Sequence, residues 1–151
     1  MAIIKSEVQT PVTQLVSGLG NLASGSYTRG DNQINHGAND PLDVLIEVTV
    51  TPGTVTGNKQ LVVFAKASLD GDDFTTGPQT GTALAADEPN LYYVGSLPLN
   101  TNATQQRKVF SLAAAYGGVL PRQSILVFKN DSGATFTAAT VRISEVWGVA
   151  V

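Results

Sequence analysis

Cysteine is missing from all 151 residues, so this chain has no disulfide framework, thiolate metal site or thiol nucleophile. Histidine occurs once, at His36, which excludes the paired-histidine zinc sites of hydrolases. Charge is scarce as well: Asp, Glu, Lys and Arg make up 14% of the sequence, against roughly 25% in ordinary soluble proteins. The basic residues are scattered from Lys5 to Arg142 and the net charge is −3. A phosphate backbone is held by a basic stripe that releases counterions, so nucleic acid is not an expected partner. No run approaches a membrane span, and Met1 to Thr10 mixes charges in too early for a secretory leader, so neither a membrane nor a targeting peptide is expected.

What is present is a hydrophobic fraction of 42% in a chain of single-domain length. With so few charges, the polar surface has to come from Thr, Ser, Asn, Gln and Gly. Leu42 to Val50 alternates strictly, with Leu42, Val44, Ile46, Val48 and Val50 on one face and Asp43, Glu47 and Thr49 on the other, the pattern of a half-buried strand. After Pro52-Gly53 and Gly57-Asn58, Gln60 to Leu69 reads as a second strand, expected to pair antiparallel with the first. Asp70-Gly71 then marks a reversal, since glycine supplies the positive φ of a tight turn.

Thr75 to Asn90 reads as a long surface loop, with at most one helical turn around Ala83 to Ala86. Leu91 to Leu99 and Arg107 to Tyr116 read as strands, although Ala113, Ala114 and Ala115 favour helix. Ser124 to Phe128 has the length of a buried strand, Asn130 to Gly133 forms a turn, and Thr135 to Val151 alternates again. Ile3, Ile4 and Val8 suit an edge strand, Leu15 to Leu22 is ambiguous, and Ser24 to Asp40 is polar and glycine-rich. The expectation is an all-β chain: one antiparallel sandwich over residues 1–151, jelly-roll-like because its long loops suit Greek-key crossings. Residues 1–40 would form an extended arm and peripheral strands, and 41–151 the core.

Few residues carry a chemical signal. Asp70, Asp72 and Asp73 cluster on a turn, where carboxylates can hold calcium, with Asp87 and Glu88 as possible additions, but the spacing lacks the closing Glu of a twelve-residue calcium loop. A solvated hairpin tip accounts for them more simply. His36 lies in a polar loop and is expected at the surface, and no serine sits in a Gly-x-Ser-x-Gly elbow. Gly18 to Ala23 nearly imitates a dinucleotide fingerprint without its strand and helix. Asn102 and Asn130 match the glycosylation pattern by chance. Phe128 and Trp147 suit the core, whereas Tyr92 and Tyr93 must face opposite ways on a regular strand, leaving one exposed. No catalytic, metal or cofactor site is expected, and Ile3, Ile4, Val8, Tyr92 and Tyr93 are the candidate interaction residues.

Val119 to Ala134, with its Leu-Pro turn, β run and Asn-x-Ser-Gly-Ala turn, together with Ala67-Ser68-Leu69-Asp70-Gly71, resembles small structural proteins of tailed bacteriophages. The resemblance implies a non-enzymatic capsid decoration or cement protein, made in the host cytoplasm and placed on the capsid exterior. Its partners would be the major capsid protein and copies of itself, as a homodimer or homotrimer. The arm from Met1 to about Gln14 would then add to a neighbour's sheet edge, limited by Pro11. A carbohydrate- or receptor-binding module of a tail fibre or baseplate, using Tyr92, Asp72 and Asp73, is the alternative.

Overall fold

The alternation at Leu42 to Val50 builds β5 (Asp43–Pro52), where Val44, Ile46, Val48 and Val50 are fully buried and Asp43, Leu45 and Glu47 are half-buried on the other face. The computed structural model describes residues 3–75, 77–78 and 85–150. One sheet is ordered β1 (Ile4–Val8), β12 (Phe136–Ala150), β5 and β10 (Gln106–Ser111), with β2 (Val12–Gln14) following β1 along the same edge of β12. The other is ordered β3 (Tyr27–Arg29), β11 (Gln123–Asp131), β6 (Gln60–Ser68) and β9 (Tyr92–Pro98), with β4 (Ile34–Asn35) following β3. A small hairpin of β7 (Asp73–Phe74) and β8 (Gly77–Pro78) stands apart. Every pairing is antiparallel. If each broken edge strand counts as one, the first lies beside the last in one sheet and the second beside the next-to-last in the other. That is the wrapped order of a jelly roll.

This order corrects the expected pairing of β5 with β6, which lie in different sheets. The reason is in their link. Residues 53–59 are longer than a tight hairpin turn and drop Val55 into the core, while the Thr56 amide bonds the Ser132 carbonyl at 2.8 Å, so the segment arches over the sandwich. Residues 99–105, 112–122 and 132–135 cross between the sheets in the same way. The turn at Asn130 to Gly133 is therefore an arch as well.

Between the sheets, Val44, Ile46, Val48, Phe110, Phe136 and Val141 meet Leu61, Val63, Ala65, Leu97, Leu126 and Phe128. The second sheet is also covered on its outer face, where Val62, Phe64 and Val127 pack with Leu91 and Tyr27. Burial on both faces explains why Ser124 to Phe128 reads as a continuous apolar run.

Three stretches differ from the sequence reading. Arg107 to Tyr116 is a strand only to Ser111 and then one turn of helix, α1 (Leu112–Ala115). Ala85–Asn90 forms a 3-10 helix held by Glu88, whose carboxylate takes bonds from Tyr27 Oη and, at 2.8 Å, Lys129 Nζ. Ala83 and Leu84 lie outside the described residues. Residues 14–36 are more than periphery, since Gln14, Val16, Leu19, Leu22, Ile34 and His36 are buried.

Candidate interaction surfaces

The candidate residues at the amino terminus occupy one feature. β5 begins at Asp43, which pairs with Val146, so among the described residues β12 beyond that point has β1 as its only strand neighbour, with Ile4 opposite Ala150 and Glu7 opposite Trp147. The result is a two-stranded ribbon extending past the end of β5. All five side chains of β1 are exposed, Ile4 at 70% and Val8 at 58%, and Ile3, Leu42 and Trp147 beside them are exposed too. Residues 4–8 are thus not a free arm: their backbone already pairs with the chain's own sheet. The pairing breaks around Pro11, and β2 resumes with a register one residue out, Gln14 opposite Val141.

The ribbon's outer face continues onto the body. Gly148 leaves room for Ile4 and Leu42, whose methyl groups would lie 3.2 and 3.4 Å from a β-carbon there. A shallow groove of about 150 Å³ follows, lined by Val8, Pro11, Leu45 and Val109, with Ile143 and Ser144 among its walls. Val109 is exposed on this face, next to Glu47, which Arg107 and Arg142 flank at 3.6 and 3.5 Å. These ion pairs are solvated and add little to stability.

Tyr92 and Tyr93 do face opposite ways, and both are open to solvent, at 40% and 58%. Tyr93 packs edge-on against Phe64 on the outer face of the second sheet, with ring centres 6.1 Å apart. Tyr92 meets Tyr116 at 4.7 Å at the end of the sandwich. There it lines an open cleft of about 570 Å³ with Leu69, Asp70, Asp73, Val119 and Pro121. Trp147, expected in the core, is exposed instead: it lies on the ribbon past the end of β5 and belongs to neither buried cluster of the described residues; its Nε1 donates to Glu145 Oε2 at 2.8 Å.

The acidic turn is organised inwardly. One oxygen of Asp70 accepts from the Asp72 and Asp73 amides, both at 3.1 Å, and from Ser68 Oγ at 3.0 Å. Those backbone amides hold the carboxyl below the usual aspartate range. Glu88 does not join the turn, being tied to Lys129 and Tyr27. Among the described residues no three acidic or histidine side chains converge to hold a metal ion.

His36 is a correction. Its loop docks on β11 through His36 N–H and Gly37 N–H to the Arg122 carbonyl, at 2.9 and 3.2 Å, and this turns the ring inward. The imidazole is 3% exposed; Nε2 lies 2.9 Å from Ser124 Oγ, which also accepts from Tyr116 Oη at 3.0 Å. Burial pushes the histidine down to about 4, against the opposing pull of Glu145 and Asp43, and raises the Tyr116 phenol. Ser124 is fully buried, and among the described residues no carboxylate orients Nδ1, which has no hydrogen-bond partner there. A nucleophile needs access and an oriented base, so this arrangement joins β4, β11 and α1 rather than attacking a substrate. Sequence reading missed it because β4 is two residues long and carries no periodicity.

No family model and no curated protein matches the chain. Among solved structures it is similar to one of desmodium yellow mottle tymovirus, with 8% identity over 100% of this chain and 90% of that one and a TM-score of 0.36. A likeness at that level assigns no function.

Proposed function

We propose that the chain is a non-enzymatic structural protein of a virion, a decoration or cement subunit that binds the exterior of a phage capsid and braces it. The observation that carries this reading is the apolar surface on the outer face of the first sheet, where Ile4 and Leu42 are exposed beside Gly148 and Val8 and Val109 line a shallow groove. Exposed apolar surface beside an unpaired strand edge is typical of surfaces that are covered by other protein. The jelly roll is compatible with it, being shared by capsid proteins, lectins and cupins, and so selects no function alone. The low charge of the chain suits close packing in a lattice.

The test is co-sedimentation with expanded phage capsids stripped of accessory proteins. Wild-type protein is expected to load the shells, and the pair Leu42→Glu with Val109→Glu to lose most of the occupancy while remaining folded. Equal occupancy by the pair, or no loading by wild type, overturns the reading. The cleft at Tyr92 and Tyr116 favours a second one, a carbohydrate-binding module, because aromatic rings beside Asp70 and Asp73 offer stacking and acceptors. Glycan-array binding lost on Tyr92→Ala would support it over the first.

A further inference from the structure

Among the described residues the outer edge of β1 has no strand beside it, and two independent features show what fits there. The first is backbone polarity. The Gln9 amide donates to the Glu145 carbonyl at 2.8 Å, in the register that pairs Ile4 with Ala150. In an antiparallel ladder hydrogen-bonded residues alternate, so the odd-numbered residues of β1 bond to β12. Ile4, Ser6 and Val8 therefore turn their N–H and C=O groups to the free edge.

The second is the sequence itself. Ile4-Lys5-Ser6-Glu7-Val8 is self-complementary when run antiparallel to itself about Ser6: apolar meets apolar, Lys5 meets Glu7, and Ser6 meets Ser6. In that register Ser6 and the Ile4–Val8 pairs use the free backbone groups. The Lys5–Glu7 pairs then fall at non-hydrogen-bonded positions, where cross-strand side chains come closest. Sliding by one step in either direction that keeps the backbone polarity centres the pairing on Lys5 or on Glu7 and sets like charges opposite each other. Alternating charge thus selects one register and disfavours its neighbours.

We infer that this chain forms a two-fold dimer in which β1 of each copy pairs antiparallel with β1 of the other about Ser6, joining the two first sheets into one continuous sheet. The interface is isologous, as a closed dimer requires. Lysine on an edge strand often guards against association, but a guard works by repelling a copy of itself, and here the Lys5 of one copy meets the Glu7 of the other. The inference deepens the structural-protein reading by naming the partner as a second copy, and it is tested on the free protein, so its failure and that of capsid binding are separate outcomes.

The measurement is the mass of the purified chain by sedimentation equilibrium across a concentration series. Wild type is expected at twice 15.7 kDa. Lys5→Glu and Glu7→Lys each set like charges across both pairs, and each is expected to raise the dissociation constant at least about tenfold. Mixed in equal amounts, these two variants regain attraction at both positions and are expected to form a heterodimer. The double variant, with the charges exchanged, is expected to dimerise like wild type. Ser6→Pro removes an outward N–H without touching the bonds to β12 and is expected to be monomeric. All these side chains are exposed, and unchanged circular dichroism would show that the fold survives. A monomeric wild type, a trimer, or a dimer that ignores the charge variants and their mixture overturns the inference.

Discussion

Single residues carry two of the chain's testable properties. His36 is held neutral, near a pKa of about 4, whereas in the unfolded chain it titrates near 6.5. As pH falls below about 6.5 the unfolded state takes up a proton that the folded state refuses until about pH 4, so stability is full above this window and declines through it. The loss from this group is expected to reach about 3 kcal/mol. Denaturant midpoints at several pH values check this, because His36→Gln should remove that part of the decline and leave the carboxylate losses at lower pH. Gly133 is the second case. It has a φ of 77°, and an added β-carbon would sit 2.7 Å from the Thr56 carbonyl oxygen. Gly→Ala gains about 0.4–1 kcal/mol by restricting the unfolded chain, but here the left-handed conformation and the backbone clash outweigh it. Gly133→Ala is expected to lower stability by about 2 kcal/mol in equilibrium unfolding. The glycine was readable as a turn residue. That its turn abuts the β5–β6 arch was not, because that contact joins segments far apart in sequence.

At the scale of elements, legibility followed how much of a strand's pattern was its own. β5 and β11 announced themselves, one by alternation and the other by an apolar run. β3 and β4 exist because β11 offers an edge to pair with, and three residues or two cannot show a period. α1 lay between these cases. Its alanines signalled helix, and Ser111 is the N-cap that stops the strand: its hydroxyl accepts from the Ala114 amide at 3.1 Å and donates to Asp43 Oδ2 at 2.6 Å. The Asp43 carboxylate also accepts from the Ala113 amide at 2.8 Å, so the turn is tied to the first residue of β5. Ser111→Ala is expected to cost about 1 kcal/mol, read as a shift of the denaturant midpoint at unchanged slope. The Asn130 motif behind the phage resemblance also has a local cause. Its buried amide donates to the Leu22 and Ala134 carbonyls, both at 2.7 Å, while its oxygen accepts from Ser132.

For the whole molecule, all-β class and sandwich layering were legible because they follow from period and turn chemistry, which are local. Which sheet each strand joins was not, since the faces of β5 and β6 would look alike in a hairpin and in an arch. The wrapped order gives the two ends of the chain unequal weight. β12 pairs with β1, β2 and β5, and its Val141 and Ile143 are buried. β1 is exposed throughout, and its loss would leave residues 147–150 without their strand partner while uncovering no buried core residue. Residues 14–36, by contrast, bring Val16, Leu19, Leu22 and Ile34 between or against the sheets, and burying an aliphatic side chain stabilises by about 1.5–3 kcal/mol. Together these come to about 6–12 kcal/mol, comparable with a typical net stability of about 5–15 kcal/mol. Removing residues 1–8 is therefore expected to leave the melting temperature within a few degrees of wild type and the near-ultraviolet circular dichroism of the core aromatics intact. Removing residues 1–40, the whole stretch that composition marks as peripheral, is expected to abolish cooperative unfolding. If the longer truncation still melts cooperatively, the buried residues between β1 and β5 are dispensable and the core is smaller than the jelly roll implies.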